Sequence, residues 1–353
     1  MNKNYLISTG GSGGHVIPAT ILYEHLAKEA NVIISSDIRG LKYFEKNYKC
    51  KIINTPKLNN IFLLPFNCII LFALTIKSIF LLKTKKIVKL FSTGGYMSLP
   101  LVLAARLLKL NIYLIEPNQV LGRANKFYLN SCQKIFCYTK KIKKFPLKHK
   151  NKLEIINPLV RKKIYKINRT SIDNTKFKIL VVGGSQGANV FNNSLKKTFV
   201  NISKKFPIIV THQTNNSNIK DLEYFYQKND IESSIFTYDP NFEKILINTD
   251  LCITRGGAST LAELSFLNIP FITVPLPSSK DNHQFENANF YREKDCCWLL
   301  DQKIFKENIE ELLKNIIKNK TDFLKKKENL KKLNYQNNWI NVNQKLLNII
   351  NEN

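Results

Sequence analysis

The chain alternates short, consecutively apolar runs with longer stretches in which apolar positions recur at helical spacing. Residues 5–7, 31–35, 51–54, 87–92, 112–115 and 135–138 are the short runs. Strands buried on both faces of a sheet have this pattern, because neither side of the pleat meets water. Residues 19–28, 37–48 and 98–108, and a segment opening at 121–126, read as helices. Strand and helix in repeated alternation predict a parallel sheet with helices on both faces. Polar residues 168–176 read as a linker, and the pattern then restarts. Strands are expected at 178–182, 208–212, 235–236, 251–254 and 271–275, and helices after 183, at 221–229, 241–248, 261–267 and 308–318, and from 281. A last amphipathic helix, about 338–353, is long enough to cross back onto the first half.

A chain of 353 residues most often holds two domains. Both halves open with a strand and a Gly-Gly-Ser-x-Gly turn, at Gly10 and at Gly183. The expected architecture is therefore two Rossmann-like domains, 1–161 and 162–337, facing across a cleft. Ligands would bind where the strands end.

Residues 61–82 depart from the alternation. They are almost continuously apolar, interrupted by Pro65, Asn67 and Lys77 and followed by Lys83, Lys85 and Lys86. Three placements are open: a helix crossing a bilayer, a fully buried helix, or a helix resting an apolar face with a basic rim on an anionic membrane. The formal charge of +28 also asks for an anionic partner. It reads as distributed along the chain rather than gathered in one tract. No nucleic-acid recognition motif accompanies it, so nucleic acid is not the expected partner. Seven cysteines, an odd number without a C-x-x-C pair, fit a reducing compartment with neither zinc nor disulfides. Residues 1–7 are too short for a signal peptide.

The chemistry concentrates in glycine turns. Thr9-Gly10-Gly11-Ser12-Gly13-Gly14-His15 lies between a strand and a helix with Pro18 in its first turn. Glycines let the backbone approach a ligand, and the helix start aims N–H groups at an anion, most often phosphate. The dinucleotide fingerprint fits poorly, since its last glycine falls on Val16. His15 is either a base or hydrogen-bonding group for that ligand, or a helix cap. Gly94-Gly95-Tyr96 follows a second strand. In the second half, Arg255-Gly256-Gly257-Ala258-Ser259-Thr260 leads into a helix bearing Glu263. That glutamate either accepts the hydroxyls of a ribose or forms a capping box with Ser259 or Thr260. The chain has no D-x-D pair of the kind that holds a metal in many nucleotide-sugar sites.

These motifs, with Glu116-Pro117-Asn118, Asn157-Pro158 and Arg161, and Gly183 to Ala188, occur together and in order. The set resembles the MurG family, over nearly the whole chain. The resemblance implies a GT-B fold and an inverting transfer without metal or cofactor. N-acetylglucosamine would pass from UDP-N-acetylglucosamine to the C4 hydroxyl of a lipid-linked acceptor, lipid I, giving lipid II on the cytoplasmic face of the cell membrane. The alternative is another GT-B enzyme acting on a membrane lipid such as diacylglycerol. By resemblance the donor is held by Ser12, Gly13, Gly14, Asn118, Arg161, Ser185, Gly257, Ala258, Ser259, Thr260, Leu261, Ala262, Glu263 and Gln284, with the uracil near Tyr238 and Asp239. Gly94, Gly95 and Tyr96 would take the acceptor, the base would be His15 or Glu116, and residues 338–353 would pack on the acceptor- and membrane-binding domain. The sequence departs from the family at Ile115 and Pro117, where a His and a Gln are usual, at the spacing before Arg161, and at Tyr238 to Asn241, where Phe-Ile-Asp-Asp is usual.

Overall fold

The computed structural model describes residues 3–44, 48, 50–56, 62–167, 175–237, 239 and 241–352, with backbone only at 185–188. The chain forms two compact units, Met1–Lys162 with Asn338–Asn353, and Lys163–Asn337. The first contains strands β1 (Asn4–Ser8), β2 (Asn31–Ser36), β3 (Cys50–Ile52), β4 (Ile87–Ser92), β5 (Asn111–Glu116), β6 (Lys134–Cys137) and β7 (Leu153–Ile155). They pair, all parallel, in the order β3-β2-β1-β4-β5-β6-β7. The second contains β8 (Phe177–Val182), β9 (Ile208–Gln213), β10 (Glu232–Phe236), β11 (Leu251–Thr254), β12 (Phe271–Thr273) and β13 (Cys297–Leu299). Their order is β10-β9-β8-β11-β12-β13, again parallel. Each sheet reverses its strand order beside its first strand, at β1/β4 and β8/β11, the place where doubly wound folds bind ligands. Two such domains in one chain make the GT-B class.

Strands of continuous Val, Ile, Leu and Phe are buried on both faces. One face of the first sheet carries Leu6, Leu90, Leu101, Leu114 and Ile135, and the other carries Ile7, Leu22, Ile34, Phe91 and Phe136. The C-terminal helix Trp339–Asn351 completes the second of these cores with Val342, Leu346 and Ile350. Its last turn is capped from the sheet: the buried Lys89 ammonium and the Tyr113 hydroxyl both donate to the Ile350 carbonyl.

Several elements differ from expectation. Among the described residues of 37–48 the helix is four residues long, Ile38–Leu41, capped by Asp37 and ending at Lys42. The first helix starts at Gly13, not Ala19, so Pro18 sits in its second turn. Strands β7 and β13 and the helix Lys320–Leu333 are not among the expected elements, although residues 296–300 are continuously apolar and Asn319 caps the helix. The expected linker falls largely on 168–174, outside the described residues.

The apolar stretch forms the helix Leu64–Thr84. It is not a buried helix. Its inner face carries Asn67, Thr75, Ser78 and Leu82, while Phe66, Ile69, Phe72 and Phe80 are each more than 60% exposed. Thr75 and Ser78 return their hydroxyls to the Leu71 and Leu74 carbonyls at 2.8 Å, which hides their polarity against the domain. Both ends of the helix feed strands of one sheet, β3 and β4, which argues against its crossing a bilayer as a free span.

Candidate functional site

In the first domain the site residues gather at the carboxyl edge of β1 and β4. The loop after β1 turns through Gly10 and Gly11 with φ of 146° and 77°. A side chain on either would be strained, and one on Gly10 would lie 2.6 Å from Asp37 Oδ1. The turn packs so closely because Asp37 reaches into it: Gly11 N donates to Oδ1 at 2.7 Å and Gly40 N to the same oxygen at 3.0 Å. Ser12 stands at the N-cap without a side-chain cap bond and is exposed, with Gly13 and Gly14 in the first helical turn.

His15 is half-buried in that turn. Its Nδ1 lies 2.8 Å from the Thr93 carbonyl oxygen, in the loop after β4. A carbonyl only accepts, so Nδ1 donates and the lone pair of the neutral ring is at Nε2. Helix capping is therefore not the role of this imidazole. The two loops are also tied by a Thr93–Thr9 hydroxyl bond of 2.8 Å, and Gly95 lies beside the ring. Tyr128 donates to the Gly95 carbonyl at 3.2 Å.

Glu116 is buried and its carboxylate is fully engaged. Oε1 accepts from Asn118 N at 3.2 Å and Asn118 Nδ2 at 2.9 Å, and Oε2 accepts from Gly122 N at 2.8 Å and Asn125 Nδ2 at 3.0 Å. These contacts fold residues 116–125 around it. Its geometry is that of a loop organiser rather than a base.

In the second domain the loops after β8 and β11 share an edge. Gly184, at φ 64°, donates its N–H to Gln213 Oε1 at 3.0 Å. Ser185 follows, with its side chain outside the described residues. Arg255 is buried, donates Nη1–H to the Val274 carbonyl at 2.8 Å and covers the Phe191 ring at 5.0 Å. A Cβ at Gly256 would collide with the Gln284 carbonyl, so only glycine lets this loop meet the helix His283–Arg292. Gln284 Oε1 accepts from Leu276 N at 3.0 Å, which leaves its amide N–H groups as donors. The helix Ala258–Phe266 is capped by Gly257, with Ser259 and Thr260 half-buried in its first turn and Leu261, Ala262 and Glu263 buried behind them. With Gly257 at the N-cap, a capping box would need its acidic residue at Thr260, so Glu263 does not serve as one. Tyr238 lies outside the described residues, and Asp239 Oδ1 accepts from Asn241 N at 2.7 Å.

Sequence reasoning missed Asp37, Arg39, Thr93 and Asn125. The signal for the first two was present: Asp-x-Arg directly follows β2, at the ligand-binding edge. It also took the charge as evenly distributed. Residues 46–153 in fact carry twenty-one Lys and Arg against one acid, the buried Glu116, and so hold 20 of the 28 net charges.

Comparison with known proteins places both halves. Residues 5–137 match the glycosyltransferase family 28 N-terminal domain and residues 178–338 its C-terminal domain. A relative from Pelagibacter ubique is 47% identical over the full length of both chains. It is named UDP-N-acetylglucosamine--N-acetylmuramyl-(pentapeptide) pyrophosphoryl-undecaprenol N-acetylglucosamine transferase. A Rickettsia bellii protein of the same name is 32% identical over 90% of this chain and 91% of its own. The crystal structure of Acinetobacter baumannii MurG superposes over all of both chains with a TM-score of 0.76 at 21% identity.

Proposed function

The chain belongs to the MurG family of glycosyltransferases, and on that premise we propose that it moves N-acetylglucosamine from UDP-N-acetylglucosamine to the C4 hydroxyl of lipid I, giving lipid II for peptidoglycan. Full-length likeness to a relative of that activity carries the reading. The alternative, transfer to a lipid such as diacylglycerol, is not favoured by it.

In the proposed mechanism His15 Nε2 takes the proton of the C4 hydroxyl as that oxygen attacks the anomeric carbon. The bond to UDP breaks on the opposite face and the configuration inverts. The Thr93 carbonyl supports this role, because it fixes the tautomer and leaves Nε2 to accept. The departing diphosphate would be stabilised by backbone N–H groups at Gly257, Ala258, Ser259 and Thr260 and by the helix start behind them. Glu263 would hold the ribose hydroxyls, and Leu261, Ala262 and Gln284 would complete the contacts, with Ser185. Contacts from Ser12, Gly13, Gly14, Asn118 and Arg161 belong to the same proposal. Gly94, Gly95 and Tyr96 would meet the acceptor.

The helix Leu64–Thr84 supports a peripheral place on the cytoplasmic membrane face. Its outward Phe and Ile side chains, followed by Lys83, Lys85 and Lys86, fit an anionic bilayer surface. By supplying the cell wall the enzyme would serve cell shape and division.

The test offers the purified protein UDP-N-acetylglucosamine with a lipid I analogue or with diacylglycerol. Transfer to the first alone is expected. Transfer to diacylglycerol alone overturns the reading.

A further inference from the structure

We propose that Arg39 is the cation that binds the acceptor's diphosphate, held in position by Asp37 across the two glycine turns of the first domain. The inference rests on the transferase reading and adds to it a residue that the sequence motifs do not mark.

Arg39 Nε and Nη2 donate to Asp37 Oδ2 at 2.8 and 2.5 Å. Asp37 is itself pinned, since its other oxygen takes the Gly11 and Gly40 N–H groups. The guanidinium is therefore braced against the first glycine turn, and a Cβ at Gly11 would stand 3.8 Å from Nη2. Its carbon lies 5.2 Å from the centre of the Tyr96 ring, which follows the second glycine turn. One side chain thus spans both turns, on the edge where His15 sits.

Burial separates the two partners. The Asp37 side chain is 5% exposed and the Arg39 side chain 46%. Two of the five Arg39 N–H bonds go to Asp37, the Tyr96 side chain is a further hydrogen-bonding neighbour, and nearly half the arginine side chain is still exposed. A guanidinium offers paired, parallel donors to a diphosphate, which an ammonium does not. A pre-braced side chain loses little freedom on binding.

The experiment compares two lipid I analogues of equal chain length, one with a diphosphate and one with a monophosphate link, in the wild type, Arg39→Ala and Arg39→Lys. In the wild type the diphosphate analogue should have the lower KM. In Arg39→Ala its KM should rise about tenfold or more. The KM of the monophosphate analogue should rise far less, so the preference narrows, while the KM for UDP-N-acetylglucosamine stays within about twofold. Arg39→Lys should fall between. A purely structural arginine would raise both acceptor KM values alike, and an unchanged preference in Arg39→Ala overturns the proposal. If the wild type transfers to neither analogue, the transferase reading fails instead and takes this inference with it.

Discussion

His15 and Glu116 show how residues of matching chemistry diverge once their partners are known. The imidazole spends one nitrogen on the Thr93 carbonyl and keeps the other. The carboxylate spends both oxygens on four donors. His15→Ala should lower kcat by about a hundredfold or more, with KM for the donor little changed. Glu116→Gln should act differently, because it turns an amide NH2 toward donors that need an acceptor. A fall in stability of about 1–3 kcal/mol is expected, while the residual activity keeps the wild-type pH profile. Thermal midpoints together with pH–rate curves for the two variants check this. A Glu116→Gln profile that loses its limb would return the base role to Glu116.

At the scale of elements, the helix Leu64–Thr84 reverses the usual arrangement, with small polar residues inward and phenylalanines outward. The phenylalanines already face solvent, so replacing them removes little packing. Phe66→Asp with Phe72→Asp should cut binding to anionic vesicles by at least about tenfold and leave the thermal midpoint nearly unchanged. Co-sedimentation with vesicles of anionic lipid is the measurement, and undiminished binding would remove this surface from the membrane contact. The helix also marks what the sequence could and could not tell. Its existence was legible from apolar length and an exposed apolar face was among its three placements, but which residues form that face depends on packing against the helix Leu99–Leu107. The central strands were legible because they are continuously apolar. β7 was not, because Glu154 interrupts it, whereas β13 was overlooked although residues 296–300 are continuously apolar. The glycine turns were readable as tight turns from spacing alone. Asp37 and Arg39 carried a signal in Asp-x-Arg after β2, but their contact with a turn 26 residues earlier was not readable.

For the molecule as a whole, two buried histidines set an acid limit. Burial pushes His25 down to about 4, with Lys162 adding to the effect and the Asn343 hydrogen bond opposing it. Burial and then Lys196 push His212 down to about 3. Unfolded histidine binds its proton near pH 6.5, before the folded chain does. Stability is therefore complete above that pH and is lost as pH falls through 6.5 toward 4 in the first domain and toward 3 in the second. For His25 alone the loss amounts to about 3 kcal/mol. Thermal midpoints between pH 8 and pH 4 should fall, and His25→Gln should make the decline shallower by removing one titrating ring while keeping a side-chain amide to face Asn343. Equal slopes in the two proteins would contradict the assignment.

The C-terminal helix carries a consequence for how the chain is made. As the polypeptide leaves the ribosome, residues 1–162 emerge with the groove for Val342, Leu346 and Ile350 still open and with Lys89 lacking its carbonyl. The closing piece is synthesised after every residue of the second domain. The first domain's core thus waits for residues made after the second domain, and a nascent chain stalled before Trp339 exposes apolar surface that only further elongation can cover.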